Sequence, residues 1–152
     1  MKRVLSRMLV ASGLLLGASA LSTPSFAADG AAGPAKPDAA KGGQLFDQGD
    51  ASRGIIACAS CHGAALSGLM PAIPGLLGLP RDYIGSQIGS WKNGLRRAAA
   101  PDCMADIADK LTPTDIGALA AWLSSQPVVE PYAPEAAGSL RLPAECGSQA
   151  QR

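Results

Sequence analysis

The chain has 152 residues, with 13 Lys and Arg against 12 Asp and Glu, one His and four Cys, which bounds it to one domain or a small domain with tails. A balance so near neutral leaves no electrostatic footprint for nucleic acid or an acidic surface. Aromatic residues make up 4% of the chain, too few for the stacking platforms that single strands require.

Met1 to Ala27 is predicted to be an export signal. Lys2, Arg3 and Arg7 give it a positive start, Met8 to Leu21 an apolar run broken only by small residues, and Ser25-Phe26-Ala27 a small-x-small cleavage site. The run falls short of the ~20 apolar residues of a membrane span, and no later segment reaches that length, so no stable membrane insertion is expected after cleavage. Cleavage after Ala27 leaves 10 basic against 12 acidic residues in an exported, periplasmic chain. All four cysteines (Cys58, Cys61, Cys103 and Cys146) then enter an oxidising compartment. Only 22 of the remaining 125 residues are Val, Ile, Leu or Phe. Such a core is too thin to offset chain entropy unaided, and something beyond the polypeptide is expected to supply apolar surface.

Residues 28–40, rich in Ala, Gly and Pro, are expected to form a flexible lead-in, and residues 41–126 the globular part. A short helix around Gly43 to Gln48 would turn Leu45 and Phe46 inward. Ile84, Ile88, Trp91 and Leu95 recur at helical spacing after Pro80, marking one stripe with Gly94 near its stop. A shorter helix is predicted from about Asp102 to Lys110. Thr112-Pro113-Thr114-Asp115 has the chemistry of a capped start, after which Ile116, Leu119, Ala120 and Leu123 line one face with Trp122 beside it. Pro127, Pro131, Pro134 and Pro143 exclude long regular structure, so residues 127–152 are expected as an extended Pro-rich tail. With no alternating pattern and no internal repeat, the class is all-α with long loops.

The chemistry lies in Cys58-Ala59-Ser60-Cys61-His62. This C-x-x-C-H spacing sets two thiols about one helical turn apart, so both can bond the vinyl groups of a haem while the adjacent imidazole faces the iron. One motif implies one haem. A zinc site needs four ligands, and neighbouring Cys61 and His62 seldom serve one tetrahedron. A thioredoxin-like redox pair belongs beside a βαβ pattern, which is missing. A plain disulfide between residues three apart is weaker still. His62 is the only histidine, so it is the proximal ligand if iron is bound. The opposite face has two candidates, Met70 and Met104. Met70 lies eight residues past His62, and at ~3.3 Å per residue its tether does not exclude it.

These pieces, in this order, resemble a class I c-type cytochrome of the small bacterial mono-haem c4/c553 type. The resemblance spans about Gly43 to Gln126. It rests on Gly43-Gln44-Leu45-Phe46, Cys58 to Gly63, Met70-Pro71, Pro74-Gly75-Leu76, the Tyr83-to-Arg96 helix, Met104-Ala105-Asp106-Ile107-Ala108, and Asp115-Ile116 with Leu119 to Leu123. Leu79 departs from the pattern, where such cytochromes often carry Gln.

The resemblance implies a small cytochrome c fold, about four short helices and long loops wrapped around one haem c attached through Cys58 and Cys61. It implies that the Pro74 carbonyl holds the second nitrogen of His62, and that Met104 is the sixth ligand while Met70 packs as a flexible apolar filler. A thioether opposite an imidazole raises the reduction potential of the iron. With both axial positions filled by protein, the implied function is a periplasmic one-electron carrier between redox proteins, in a respiratory or dehydrogenase-linked chain, and not an enzyme. Consistent with that, the sequence has no second histidine, no G-x-S-x-G, no G-x-G-x-x-G and no phosphate loop. A haem peroxidase or gas sensor would need Met104 to leave the iron, and a zinc-held binding module would hold no porphyrin.

Cys103 and Cys146 remain once haem has taken the other pair. They are expected to form a disulfide pinning the tail beside Met104, with free or intermolecular cysteines as the alternative. Trp91 and Arg96 could reach a haem propionate, although the spacing of Trp91 already accounts for it as core. Lys92, Arg96 and Arg97 cluster at a predicted helix end. Favourable charge at a helix C-terminus is the default there, and docking of an acidic partner the sharper idea. Asp102, Asp106 and Asp109 fit helix-surface acids better than a catalytic cluster. A monomer is expected.

Overall fold

The side chain of Asp38 accepts from the backbone N–H groups of Ala40 and Lys41 at 3.0 and 3.3 Å, and this cap starts helix α1 at Ala39–Asp47, ahead of the predicted Gly43. The structure, a computed structural model, describes residues 37–149; the predicted export signal at 1–27 and all but the end of the lead-in lie outside the described residues. After α1 come a 3-10 turn at Ala51–Arg53, then α2 at Ala59–His62, α3 at Arg81–Lys92, α4 at Cys103–Lys110 and α5 at Pro113–Leu123. The described residues hold no strand, only isolated bridges. The fold is thus all-α, with five helices where about four were expected. The additional one is the single turn that carries the cysteine motif.

Helices α1 and α5 cross at close quarters. A Cβ on Gly42 would stand 2.2 Å from the Ala118 carbonyl oxygen, so only a bare backbone fits there. Phe46 lies against Trp122 with ring centroids 4.9 Å apart, and Phe46 and Leu119 are shut from water. Helix α5 opens on a capping box. Asp115 N–H donates to Thr112 Oγ1 at 3.2 Å, and Thr112 N–H donates to Asp115 Oδ2 at 2.9 Å.

Asp115 does more than cap. Its carboxylate is wholly buried, with Lys41 Nζ of α1 and Arg53 Nη1 of the 3-10 turn each 2.7 Å away. Arg53 Nε also donates to Asp50 Oδ2 at 2.6 Å. Burial alone would raise the pKa of Asp115. Donation by Arg53, Lys41 and Thr112 overrides that and holds the carboxyl well below the usual range.

Helix α3 buries Ile84 and Ile88 and packs on α4 and α5. Its predicted stripe does not reach Leu95. The helix stops at Lys92, Gly94 takes a left-handed φ of 67°, and the reversed chain leaves Leu95 outside the helix and 83% exposed. Lys92 Nζ donates to the Asp109 carbonyl at 2.9 Å and the Ala108 carbonyl at 3.4 Å, so this cation is spent on the C-terminal end of α4.

Candidate functional site

The cysteine motif is wound into a turn by its own backbone, with His62 N–H donating to the Cys58 carbonyl at 2.9 Å. This places both thiols and the imidazole on one side of a single helical turn. His62 is buried, and its Nδ1 lies 2.9 Å from the Pro74 carbonyl oxygen. A carbonyl can only accept, so Nδ1 carries the proton and Nε2 keeps its lone pair for a ligand. Burial pushes the imidazole pKa down and the Pro74 carbonyl pulls it partly back.

Pro74 is presented by a loop folded tightly on itself. Gly68 N–H donates to the His62 carbonyl at 2.9 Å, Leu76 N–H to the Leu66 carbonyl at 2.7 Å, and Leu69 and Ile73 form a bridge. Gly68 holds a φ of 81°, and a Cβ there would stand 2.4 Å from Gly75 N. The position takes glycine for both reasons.

These elements enclose a cavity of about 230 Å³. Ile56, Leu76, Ile84, Ile88, Ile107 and Leu119 are among its apolar walls, and Cys58, Cys61, His62, Pro74, Trp91, Arg96, Cys103 and Met104 all line it. Of the predicted site residues only Cys146 does not, and it is bonded to Cys103 with a Cα separation of 5.2 Å. The two thioethers part company here. Met104 faces the cavity, whereas Met70 is absent from its lining and 49% exposed, so it fills no core space.

Neither Cys58 nor Cys61 is in a disulfide, and burial raises the pKa of both thiols, Cys58 to about 11. Among the described residues no group of three or more His, Cys, Asp or Glu is placed to hold a metal ion. The indole N–H of Trp91 is buried without a hydrogen-bond partner. Above its ring lies the Arg96 guanidinium, 3.9 Å from the centroid, which also donates to Gln87 Oε1. A buried donor left unpaired on a cavity wall calls for an acceptor inside that cavity.

Taken together, an apolar chamber, two cysteine sulfurs one turn apart, an imidazole with a free Nε2, a thioether and an orphaned N–H fit a haem with its vinyl, iron and carboxylate ends. Sequence reasoning missed Gln87 and Ala144, which also line the cavity. Gln87 had a legible signal, a polar residue one turn before Trp91 on the apolar stripe; Ala144, far along the tail, had none.

The family model described as cytochrome c matches residues 39–127. The thiosulfate dehydrogenase electron acceptor of Thiomonas intermedia is 37% identical over 95 residues, 62% of this chain and 44% of that protein. Its namesake in Stutzerimonas stutzeri is 32% identical over 108 residues, covering 70% and 48%. The chain therefore spans about half the length of these two relatives. Cytochrome c-554(548) of Halomonas halodenitrificans is 37% identical over 81 residues, 51% of this chain and 98% of that one. Among solved structures, cytochrome c4 of Acidithiobacillus ferrooxidans superposes with a TM-score of 0.54 at 34% identity, covering 62% of this chain and 53% of that one. The thiosulfate dehydrogenase of Marichromatium purpuratum gives 0.53 at 35%, covering 64% and 19%.

Proposed function

The chain belongs to the cytochrome c family, and on that premise we propose that it is a periplasmic one-electron carrier that takes electrons from a thiosulfate-oxidising dehydrogenase. In this reading Cys58 and Cys61 would hold haem c covalently, and His62 and Met104 would ligate its iron. The observation that carries it is the convergence of those four side chains on one apolar cavity.

Haem c, when bound, supplies reversible one-electron chemistry at its iron. The chain's own residues do the rest. Pro74 fixes the tautomer and ring angle of His62. The aliphatic walls exclude water, which favours the less charged ferrous state. Trp91 Nε1 and Arg96 offer donors to a propionate. With His62 and Met104 both committed to the iron, the group would supply electron transfer and leave no position for a substrate.

Export is supported by the predicted signal over residues 1–27, cleaved after Ala27, and by the Cys103–Cys146 cross-link. Among the described residues no helix is long and apolar enough to cross a membrane. The haem domain is assigned to residues 41–126, between the lead-in and the tail. A thiosulfate-oxidising donor is supported by the two relatives named as electron acceptors of a thiosulfate dehydrogenase, which match 62% and 70% of this chain.

The test is a spectrum followed by a mixing experiment. Protein matured with the cytochrome c assembly machinery should show reduced haem bands and a ferric methionine-to-iron charge-transfer band. Stopped-flow mixing with a thiosulfate dehydrogenase and thiosulfate should reduce it within the turnover time of the dehydrogenase. A colourless product would sink the haem reading; a coloured one that stays oxidised in the mixture would sink the donor.

A further inference from the structure

The family match ends at residue 127, yet the chain beyond it stays on the body of the protein. Glu135 N–H donates to the Gly68 carbonyl and Met70 N–H donates to the Glu135 carbonyl, both at 2.9 Å. The buried Gln149 donates its Nε2 to the Met70 carbonyl at 2.6 Å. On the other side, Gly147 N–H donates to the Pro101 carbonyl at 2.9 Å and Ala99 N–H donates to Ser148 Oγ at 3.0 Å. A Cβ on Gly147 would stand 2.1 Å from the Ala100 carbonyl oxygen, so the tail lies hard against residues 99–101. Cys146, 3% exposed, is cross-linked to Cys103, and Ala144 reaches the cavity wall.

The tail thus grips two loops at once. One is the Gly68–Met70 segment, whose Leu69–Ile73 bridge sets up Pro74 behind His62. The other is residues 99–103, which lead straight into Met104. Helix α4 has only eight residues and would be marginal by itself. Its start is held by the cross-link and by Asp102, which accepts from Ala105 N–H at 3.1 Å and, with its other oxygen, from Ala98 N–H at 2.6 Å.

We propose that residues 135–149 form a strap that positions Met104 for the iron, locking the loop that carries the thioether to the loop that orients the imidazole. Cys146 and Gln149 are its positioning residues. The proposal rests on the reading of Met104 as sixth ligand. Its effect is kinetic: with the strap fastened, Met104 leaves the iron slowly, and small ligands are kept out of an electron carrier.

The experiment compares four haem-loaded full-length proteins: the parent, Met104→Leu, Cys103→Ser/Cys146→Ser, and Gln149→Ala. Readouts are the ferric methionine-to-iron band, the rate of carbon monoxide binding by the ferrous form, and the guanidinium midpoint. Met104→Leu should abolish the band; if the band persists, the ligand assignment itself is wrong and the strap falls with it. The double variant should bind carbon monoxide about tenfold faster, as expected where departure of Met104 limits the rate and the strap no longer slows it. Gln149→Ala should move the rate the same way by about two- to threefold, and if the double variant does not mature, this variant alone decides. Rates unchanged from the parent in the tail variants, with the band lost in Met104→Leu, overturn the strap while leaving the ligand in place. A lowered guanidinium midpoint with an unchanged rate does the same, because it makes the tail a stabiliser and nothing more.

Discussion

At the α1–α5 crossing the polypeptide fills its own space. Phe46 lies on Trp122, Gly42 admits the Ala118 carbonyl, and a buried Asp115 holds Lys41 and Arg53. Around His62 and Met104 the aliphatic side chains instead wall a cavity of about 230 Å³, and the backbone there is tied by loop hydrogen bonds and one cross-link. A chain poor in large aliphatics has spent part of them on a helix pair that closes by itself and turned the rest toward a prosthetic group. The first region is stable by packing and charge, the second by what it binds.

The sharpest way to break that contrast is Cys58→Ala/Cys61→Ala. The variant should be colourless and lose near-ultraviolet circular dichroism, while hydrogen exchange stays slowest in α1 and α5. Uniform loss of protection would show that both regions depend on haem alike. Next in size is Gly42→Ala, whose new methyl has a backbone carbonyl in its way and should cost about 3 kcal/mol in guanidinium unfolding.

Asp115→Asn should cost about 2 kcal/mol at neutral pH, less than a fully buried pair because Lys41 and Arg53 keep partial contact with water. The folded pKa of Asp115 is depressed, so its contribution is complete above the unfolded carboxylate value of ~3.9 and fades as pH falls through that value toward the folded one. Parent and variant should therefore converge in acid; a constant gap from pH 7 to 3 would mean the charge is not what stabilises. Smallest is Lys92→Met, at about 0.5 kcal/mol from lost interaction with the α4 carbonyls. The salt dependence of association with a redox partner should be unchanged. A flattened salt dependence would return Lys92 to the docking surface.

The legible part of this molecule was the local part. C-x-x-C-H sits on one turn of helix, and the Thr112–Asp115 cap lies within four residues; both follow from short-range chemistry that a sequence displays. The α3 stripe was legible up to Trp91 and then overrun, because periodicity carries on through Leu95 while Gly94 turns the chain away. The roles of Lys41 and Arg53 were not legible, since the carboxylate that binds Arg53 lies 62 residues downstream and a capping aspartate has the same sequence appearance whether exposed or buried. The tail was predicted from its prolines as extended. Prolines do exclude helix there, but they carry no sign of the distant carbonyls at Gly68, Met70 and Pro101 to which that segment bonds.

Helix α4 is fastened at both extremities, by Cys103 and Asp102 where it begins, and where it ends by Lys92 on its last carbonyls and Lys110 Nζ on the Gly54 carbonyl at 2.9 Å. Each residue of an α-helix advances it by about 100°. Gaining or losing one amino acid between Met104 and Lys110 must then swing the sulfur through more than a quarter circle or tear one anchorage free. Side chains on its outer surface, such as Asp106 and Asp109, can vary, but the length of this segment cannot.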